Sequence, residues 1–297
     1  MGDSVSRAGY VALVGRPNVG KSTLLNHLLR QKLSITSRKP QTTRRTLLGV
    51  DTQGEFQAVY VDTPGIHQHA RRELNRYMVR AATSILPDVD LAVMVVDRDQ
   101  WTAEDEEVLR HLRPLTVPRF VVINKIDLLK DKSQLLPVIQ RLASMNLFDE
   151  IFPISALRSE GLEGLRAAIF QRLPERPHLF PADQVTDQTE RFLVAEIIRE
   201  KLLRQLGDEV PHHVAVLIQA YEETDGLVDI AADIVVERAG QKRIVIGKGG
   251  SRLKLVGQDA RRDIEALLER RVMLRLWVKV RGGWSNSPES LRRMGYD

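Results

Sequence analysis

The chain has 297 residues, enough for two domains of ordinary size. With 43% hydrophobic and 28% charged residues, its composition is that of a globular protein and excludes a disordered chain. The absence of cysteine excludes disulfide frameworks and thiolate metal sites, and no apolar run approaches the roughly 18 residues of a membrane span.

The net charge of +5 is unevenly distributed along the chain. Between residues 237 and 281 there are 13 Lys and Arg against 5 Asp and Glu, so the rest of the chain carries a net charge of −3. This concentration of positive charge predicts a polyanionic partner for the C-terminal part. A solvated basic helix face would give the same count, so charge alone leaves both interpretations open.

Apolar segments between residues 8 and 174 predict the strands of a first domain, namely 10–15, 57–62, 91–97, 119–124 and 150–155. Several are apolar at nearly every position, which is typical of strands covered by helices on both faces. Because amphipathic stretches alternate with them, we expect a three-layer α/β domain with a mostly parallel sheet. Gly54, in a turn before the second segment, indicates one antiparallel hairpin at the sheet edge.

The first of these segments leads into GRPNVGKS at residues 15–22, which matches the phosphate-binding pattern G-x-x-x-x-G-K-[ST]. A strand precedes it and a helical pattern follows it, which is the context this motif requires. In such a P-loop, backbone N–H groups and the helix N-terminus bind phosphate oxygens. Lys21 is then expected to contact the β- and γ-phosphates, and Ser22 to ligate Mg²⁺.

Three further motifs follow later strand candidates, at the edge where open α/β sheets bind ligands. DTPG ends the second segment and offers Asp62 for Mg²⁺, through a water, and the Gly65 N–H for a γ-phosphate. NKID contains Asp127, whose carboxylate can accept two N–H groups of guanine that adenine lacks. SAL at 155–157 offers a backbone N–H to guanine O6. The predicted nucleotide-binding residues are Gly15, Arg16, Pro17, Asn18, Val19, Gly20, Lys21, Ser22, Thr23, Asp62, Thr63, Pro64, Gly65, Asn124, Lys125, Asp127, Ser155, Ala156 and Leu157.

The four motifs, with RKPQTTRR at residues 38–45 between the first two, resemble the nucleotide-binding set of the Era group in the TrmE–Era branch of GTPases. The resemblance implies GTP and GDP as ligands and GTP hydrolysis as the reaction. It also implies that Mg²⁺ is held by Ser22, Asp62 and a threonine of the switch segment. Thr43 is the expected switch threonine, and Thr42 is its close competitor.

The residues expected to act in hydrolysis are Lys21, Thr43, Gly65 and Asn18. Ras-like enzymes follow the DxxG motif with a glutamine that orients water, whereas this chain has Ile66, so slow intrinsic turnover is expected. Asn18 resembles the asparagine that helps to hold K⁺ in related GTPases, and the alternative is that it only shapes the loop. Arg44 and Arg45 are interpreted as solvated residues of the switch segment, with charge stabilisation as the alternative.

After residue 174 the pattern of the chain changes. A proline-bearing segment predicts a linker over 175–190, followed by a second domain over 191–283 and a C-terminal tail over 284–297. The second domain is expected to be a small α+β domain with a helix, two strands, a glycine-rich loop, a long basic helix and a last strand. These regular elements are predicted at 191–207, 212–223, 228–237, 251–271 and 272–280.

The glycine-rich loop of the second domain cannot be another P-loop, because Lys242 stands where its first glycine is required and Gly249 where Ser or Thr is required. It resembles the I-G-x-x-G-x-x-[IL] core of a KH domain, in an element order like that of type II KH domains. Its glycines allow close approach of a single-stranded RNA backbone, and Lys248 supplies charge. The resemblance makes 244–246 a short helix, although three β-branched residues favour a strand. The predicted RNA-binding residues are Ile246, Gly247, Lys248, Gly249, Gly250, Arg252, Leu253 and Lys254, with Arg261 and Arg262 as further candidates.

A GTPase domain followed by a KH domain resembles the Era group over nearly the whole chain. The resemblance implies binding of the 3′ end of small-subunit ribosomal RNA and assembly of the small ribosomal subunit. It also implies a monomer in the cytoplasm with peripheral contact to the inner membrane. The alternatives are an RNA-binding switch with incidental hydrolysis and a membrane-surface GTPase whose basic helix binds anionic lipid. Four histidines are interpreted as loop and strand-edge residues rather than metal ligands: His67, His69, His212 and His213.

Overall fold

The structure is a computed structural model and describes residues 6–37, 42–66, 73–98, 101–206 and 214–296. The chain divides into two compact units. The first contains most of the residues up to Asp187, and the second contains Gln188 and the residues that follow it, together with short segments from the first 74 residues. Each unit has a hydrophobic core of its own, as expected of a domain.

The first unit is built on a six-stranded sheet. Its strands are β1 (Arg7–Val14), β2 (Leu47–Gln53), β3 (Phe56–Asp62), β4 (Leu91–Asp97), β5 (Arg119–Asn124) and β6 (Glu150–Pro153). They lie in the order β2-β3-β1-β4-β5-β6, and all neighbours are parallel except β2 and β3. The predicted mostly parallel sheet and its edge hairpin are therefore confirmed, and Gly54 lies in the hairpin turn with a φ of 58°.

Helices cover both faces of this sheet, which explains why its central strands are apolar at successive positions. They are α1 (Lys21–Leu28), α2 (Glu73–Ser84), α3 (Ala103–Leu112), α4 (Leu135–Ser144) and α5 (Leu162–Arg172). All seven residues of β4 are buried. The parallel order brings the carboxyl ends of β1, β3, β4 and β5 to one edge, which positions the motifs predicted to bind a ligand.

Most of the segment predicted as a linker lies against the first unit. The Val50 N–H of β2 donates to the carbonyl of Val185 at 2.8 Å, and Thr186 Oγ1 donates to the carbonyl of Leu48 at 2.7 Å. An edge strand has unpaired backbone groups, and this segment satisfies some of them. The proline-rich sequence indicated the lack of regular structure but not this contact with β2.

The second unit has the order of elements predicted for a type II KH domain. They are α6 (Glu190–Gln205), β7 (Ala215–Thr224), β8 (Leu227–Val236), α7 (Ala239–Ile246), α8 (Ser251–Leu268) and β9 (Arg271–Val280). The strands form a sheet in the order β7-β8-β9, antiparallel between β7 and β8 and parallel between β8 and β9. Residues 244–246 are helical, so the resemblance predicted their structure correctly where β propensity did not.

The core of the second unit lies between this sheet and its helices. Ile230 and Ile234 point to it from β8, and Val256, Ala260 and Ile264 from α8. The spacing of four along α8 keeps its apolar residues on one face. The predicted tail is also ordered, with a 3₁₀ turn at Trp284–Asn286 and a short helix, α9 (Pro288–Arg293).

Candidate functional site

The P-loop joins β1 to α1, and its backbone leaves no room for side chains at two glycines. A Cβ at Gly15 would lie 2.4 Å from the carbonyl oxygen of Val95. A Cβ at Gly20, whose φ is 103°, would lie 2.3 Å from Nδ2 of Asn124. Glycine is therefore required at both positions, as the motif predicts.

Lys21, the first residue of α1, is almost completely buried beside this loop. Its Nζ donates to the carbonyls of Gly15 at 2.9 Å and Arg16 at 3.0 Å. Burial lowers the pKa of Lys21 to about 8, against the opposing charge of Asp62. A phosphate next to Nζ would favour the charged form. Thr23 follows on the same helix and is half-buried.

The three residues predicted to ligate Mg²⁺ lie together at the end of β3. Ser22 Oγ lies 2.8 Å from Asp62 Oδ2 and 2.8 Å from Thr43 Oγ1. Asp62 is fully buried, which raises the pKa of its carboxyl group, and its Oδ1 has no hydrogen-bond partner within the described ranges. These are the hard oxygen ligands that Mg²⁺ prefers, so the residues fit this ion. Thr42 Oγ1 lies instead 2.7 Å from Ser37 Oγ.

The DTPG segment lies against the P-loop. A Cβ at Gly65 would lie 2.7 Å from the backbone nitrogen of Pro17, so glycine allows the two segments to approach closely. Thr63 is buried, and its Oγ1 donates to the carbonyl of Leu13 at 2.8 Å. Pro64 is also buried. The segment is thus fixed on both sides, with its glycine beside the phosphate-binding loop.

Three positions bear on the predicted hydrolysis. Ile66 is fully buried and packs in the core, so its side chain does not orient water. Asn18 is exposed and has a φ of 65°. The interpretation of Arg44 as a solvated residue is wrong, because only 2% of it is exposed, whereas Arg45 is half-buried. The residues after Thr43 lead directly into β2, and the burial of Arg44 was not apparent from the sequence of the switch segment.

Asn124 connects the P-loop to the motifs after β5 and β6. Its Nδ2 donates to the carbonyl of Val19 at 2.8 Å, and its Oδ1 accepts from the Ala156 N–H at 2.9 Å. The hydroxyl of Ser155 donates to Asp127 Oδ1 at 2.6 Å. The carboxylate predicted to contact guanine is therefore held by a residue of the SAL motif. Each of these bonds joins residues at least 28 positions apart in the chain, and two of the three are made with backbone groups.

Two buried acids support the site and were not predicted. Lys125 Nζ donates to Oδ2 of Asp97, the last residue of β4, at 2.7 Å. Arg16 Nε donates to Oδ2 of Asp105, a fully buried residue of α3, at 3.1 Å. The position of Asp97 at the end of a strand was the available signal, whereas nothing local marks Asp105. Leu157 is 66% exposed.

The second glycine-rich loop joins α7 to α8 and has a different environment. Gly247, Gly249 and Gly250 all have positive φ, at 74°, 58° and 79°. A Cβ at Gly249 or Gly250 would have no atom within 4 Å. Ile246 and Leu253, on either side, pack partly against the core of the second unit. The loop is a tight turn anchored at both ends, with an accessible backbone between.

Basic side chains surround this loop. Lys248 and Lys254 are exposed. Arg252 is half-buried, and its Nη1 donates to the carbonyl of Ile244 at 3.2 Å, so part of its role is to join α8 to α7. Arg243 lines the same groove as Lys248 and was not predicted, because it lies before the motif.

The two remaining RNA-binding candidates, further along α8, have acidic partners. Arg261 Nε lies 3.0 Å from Glu265, and Arg262 lies 3.5 Å from Asp259. In each pair the two residues are three or four positions apart on α8, so they lie on the same side of that helix. Their charge is thus partly compensated by acidic side chains of the same helix.

Other kinds of site are not found in the described part of the chain. None of its helices is long and apolar enough to cross a membrane. Within the same residues there is no group of three or more His, Cys, Asp or Glu that could hold a metal ion. The four histidines named above and residues 38–41 lie outside the described residues.

A P-loop with a guanine-specific base motif, followed by a KH domain, defines the class as a P-loop GTPase joined to a KH domain. Residues 10–125 match the family described as 50S ribosome-binding GTPase, and residues 209–285 match the KH domain family. Among known proteins, GTPase Era of Ectopseudomonas mendocina is 55% identical over 98% of both chains. GTPase Era of Pseudomonas aeruginosa strain LESB58 is 52% identical, over 98% of this chain and 95% of that protein.

Two solved structures of Era proteins are similar over 98% of this chain and 99% of theirs, at 42% identity. One is a variant of the Aquifex aeolicus protein bound to GDP and AlF4⁻, with a TM-score of 0.94. The other is an Era protein with MgGDPNP and nucleotides 1506–1542 of 16S ribosomal RNA, with a TM-score of 0.95. The chain belongs to the Era family of GTPases.

Proposed function

We propose that this chain binds and hydrolyses GTP at its P-loop and binds the 3′ end of small-subunit ribosomal RNA at its KH loop. Through these two activities it acts in assembly of the small ribosomal subunit. The observation that carries the proposal is the convergence of Ser22, Thr43 and Asp62 at the P-loop of a chain whose KH loop is accessible. Related Era structures contain a guanine nucleotide and, in one case, 16S ribosomal RNA.

At the nucleotide site, the P-loop backbone and Lys21 bind the phosphates, and the residues of the NKID and SAL motifs bind guanine. Asp127 accepts the two N–H groups of the base, held by its bond from Ser155. Ser22, Thr43 and Asp62 are the residues that hold Mg²⁺, with Thr43 as the switch threonine. When bound, Mg²⁺ neutralises charge on the β- and γ-phosphates.

Hydrolysis at this site is slow without a further partner, because buried Ile66 supplies no group to orient the attacking water. Lys21 and the Gly65 N–H stabilise charge on the γ-phosphate oxygens. Exposed Asn18 contributes to a K⁺ site beside the phosphates, where a monovalent cation adds positive charge. Equal rates of GTP turnover in K⁺ and Na⁺ would contradict the proposed K⁺ site and the role of Asn18 in it.

At the RNA site, the glycines let a single-stranded backbone approach, and Lys248 contacts a phosphate. Arg243 and Arg252 extend the positive groove on the side of α7 and α8. Phosphate contacts of this kind fix the position of the strand, and base contacts give its sequence preference.

The proposed domain bounds are 8–174 for the GTPase domain and 191–283 for the KH domain. The protein is proposed to act as a monomer in the cytoplasm, with peripheral contact to the inner membrane. Sedimentation of the purified chain alone tests the monomeric state. Sedimentation with vesicles of bacterial inner-membrane lipids tests the membrane contact.

The experiment that tests the proposed function measures GTP turnover in K⁺ buffer with and without an RNA of the small-subunit 3′ end. The variant Lys248→Glu reverses one exposed charge at the KH loop, and Arg293→Glu makes the same charge change at an exposed position of α9. RNA stimulation lost in Lys248→Glu and retained in Arg293→Glu is the expected result. Absence of both GTP turnover and RNA binding would contradict the proposal.

The alternative function is an RNA-binding switch in which hydrolysis is incidental. The burial of Ile66 where Ras-like enzymes orient water favours it. Single-turnover hydrolysis separates the two: in the alternative the rate stays the same at saturating RNA, although the RNA binds tightly.

A further inference from the structure

One contact to the Asp62 carboxylate comes from a residue outside the four nucleotide motifs. Asp62 Oδ2 accepts hydrogen bonds from Ser22 Oγ and from Ser34 Oγ, each at 2.8 Å. Ser34 is buried and lies in the segment that follows α1. Both donors reach the same oxygen, so Oδ1 is the atom left without a hydrogen-bond partner among the residues the structure describes.

Ser34 is itself held by the side chain of Asn26. Asn26 Oδ1 accepts from the backbone N–H groups of Leu33 at 3.0 Å and Ser34 at 2.8 Å, and Nδ2 donates to the Ser34 carbonyl at 2.7 Å. These bonds fix the backbone of Ser34 and limit the positions of its hydroxyl. Asn26 lies four residues after Ser22 on α1, so both branches of the network begin on the same helix face.

We propose that Ser34 is a positioning residue for the Mg²⁺ that accompanies the nucleotide, an inference that rests on the proposed function. Ser22 has one hydroxyl hydrogen to donate. In the nucleotide-bound protein its oxygen would also be a ligand of the metal. The Ser34 bond does not involve Ser22 or Thr43 and therefore holds the carboxylate independently of them. Asp62 would keep one orientation, with Oδ1 left to hold the metal through a water.

The size of the expected effect can be judged from other residues that hydrogen-bond to metal-ligating side chains. Removing such a group typically lowers metal affinity 10- to 100-fold. Ser34 is neutral and is one of two donors to Oδ2, so we expect a change of about tenfold, at the lower end of that range. Asn26 acts through Ser34, and its loss leaves the hydroxyl in place, so a smaller change of the same sign is expected.

The test measures the dissociation rate of a fluorescent GDP across a series of Mg²⁺ concentrations and in excess EDTA. The proteins are the full-length wild type, Ser34→Ala, Asn26→Ala and a control, Ser144→Ala, which removes an exposed hydroxyl that donates to the Arg141 carbonyl. In the wild type, Mg²⁺ is expected to slow GDP dissociation. In Ser34→Ala, the Mg²⁺ concentration at which this slowing is half-maximal is expected to rise about tenfold. The rate in EDTA is expected to stay the same, and Ser144→Ala to match the wild type in both.

Each other outcome has a definite meaning. An unchanged Mg²⁺ midpoint in Ser34→Ala overturns the inference, and so does an equal acceleration with Mg²⁺ and with EDTA, because that marks a general structural role. If the wild type binds GDP without any effect of Mg²⁺, the proposed metal site fails together with the inference. Asn26→Ala supplies the same comparison if Ser34→Ala does not fold, and an unchanged midpoint there overturns the inference equally.

Discussion

Glycine has a different structural role in each of the two glycine-rich loops of this chain. In the P-loop, a Cβ at Gly15 or Gly20 would collide with an atom less than 3 Å away, so glycine makes room inside the protein. In the KH loop, a Cβ at Gly249 or Gly250 would meet nothing within 4 Å. There, glycine permits a positive φ and leaves the backbone open to a ligand from outside.

The difference shows how each loop can recognise phosphate. The P-loop is enclosed by groups from β3, β4 and β5, and its lysine is buried with backbone carbonyls as partners. A small ligand can be surrounded there. The KH loop exposes Lys248 on a surface, which suits a long polyanion held by its backbone.

The largest expected effect comes from adding one methyl group to each loop. Gly15→Ala should lower GDP affinity by about 100-fold or more, because the Val95 carbonyl is backbone and cannot move aside. Gly249→Ala should cost only about 1 kcal/mol of stability for the left-handed backbone and leave GDP binding unchanged. Fluorescent GDP titration and thermal unfolding measure both variants. Equal effects in the two loops would contradict the different roles assigned to their glycines.

A change at the base motif measures how specific the enclosed site is for guanine. Asp127→Asn should lower GDP affinity about 100-fold and raise affinity for xanthosine diphosphate, because an amide can donate to the xanthine 2-oxygen. Competition between the two nucleotides measures the ratio. Asp131→Asn, an exposed acid in the following segment, is the matched control and should leave the ratio unaltered.

The two switch threonines differ in their contacts and form a matched pair. Thr43 Oγ1 lies 2.8 Å from Ser22 Oγ, whereas Thr42 Oγ1 lies 2.7 Å from Ser37 Oγ. Thr43→Ala should therefore weaken the binding of a Mg²⁺-bound GTP analogue about tenfold relative to the binding of GDP. Thr42→Ala should change this ratio less than about twofold. Displacement of fluorescent GDP by each ligand measures the ratio. The opposite order would move the switch role to Thr42.

A moderate effect is expected at the open loop, where no single side chain encloses the ligand. Lys248→Glu should weaken RNA binding about tenfold, to a similar degree for different sequences, and make the salt dependence shallower. Arg293→Glu should change neither. A strong dependence of the Lys248→Glu effect on RNA sequence would show that this residue reads bases.

The P-loop and the KH loop could be predicted from sequence because their signals are local. Each depends on glycines at fixed spacing between two regular elements, and the strands were apparent as apolar runs. The short helix over 244–246 needed the family resemblance, because three β-branched residues favour a strand when considered alone.

The supporting contacts could not be predicted, because they join residues far apart in the chain. Asp105 reaches Arg16 across 89 positions, and Ser34 reaches Asp62 across 28. Nothing in the residues around Ser34 distinguishes it from a loop serine. The burial of Arg44 was missed for the same reason, since it depends on how the switch segment packs rather than on its composition.

Measuring two ligands on two variants tests whether each loop has its own ligand. Fluorescent GDP and the ribosomal RNA fragment are titrated into Lys21→Ala and Lys248→Glu, with the wild type without nucleotide as the reference for RNA. Lys21→Ala should lose GDP and bind RNA as the nucleotide-free wild type does, and Lys248→Glu should bind RNA about tenfold more weakly and bind GDP normally. Loss of both ligands in either variant, with the fold intact, would contradict the assignment of one ligand to each loop.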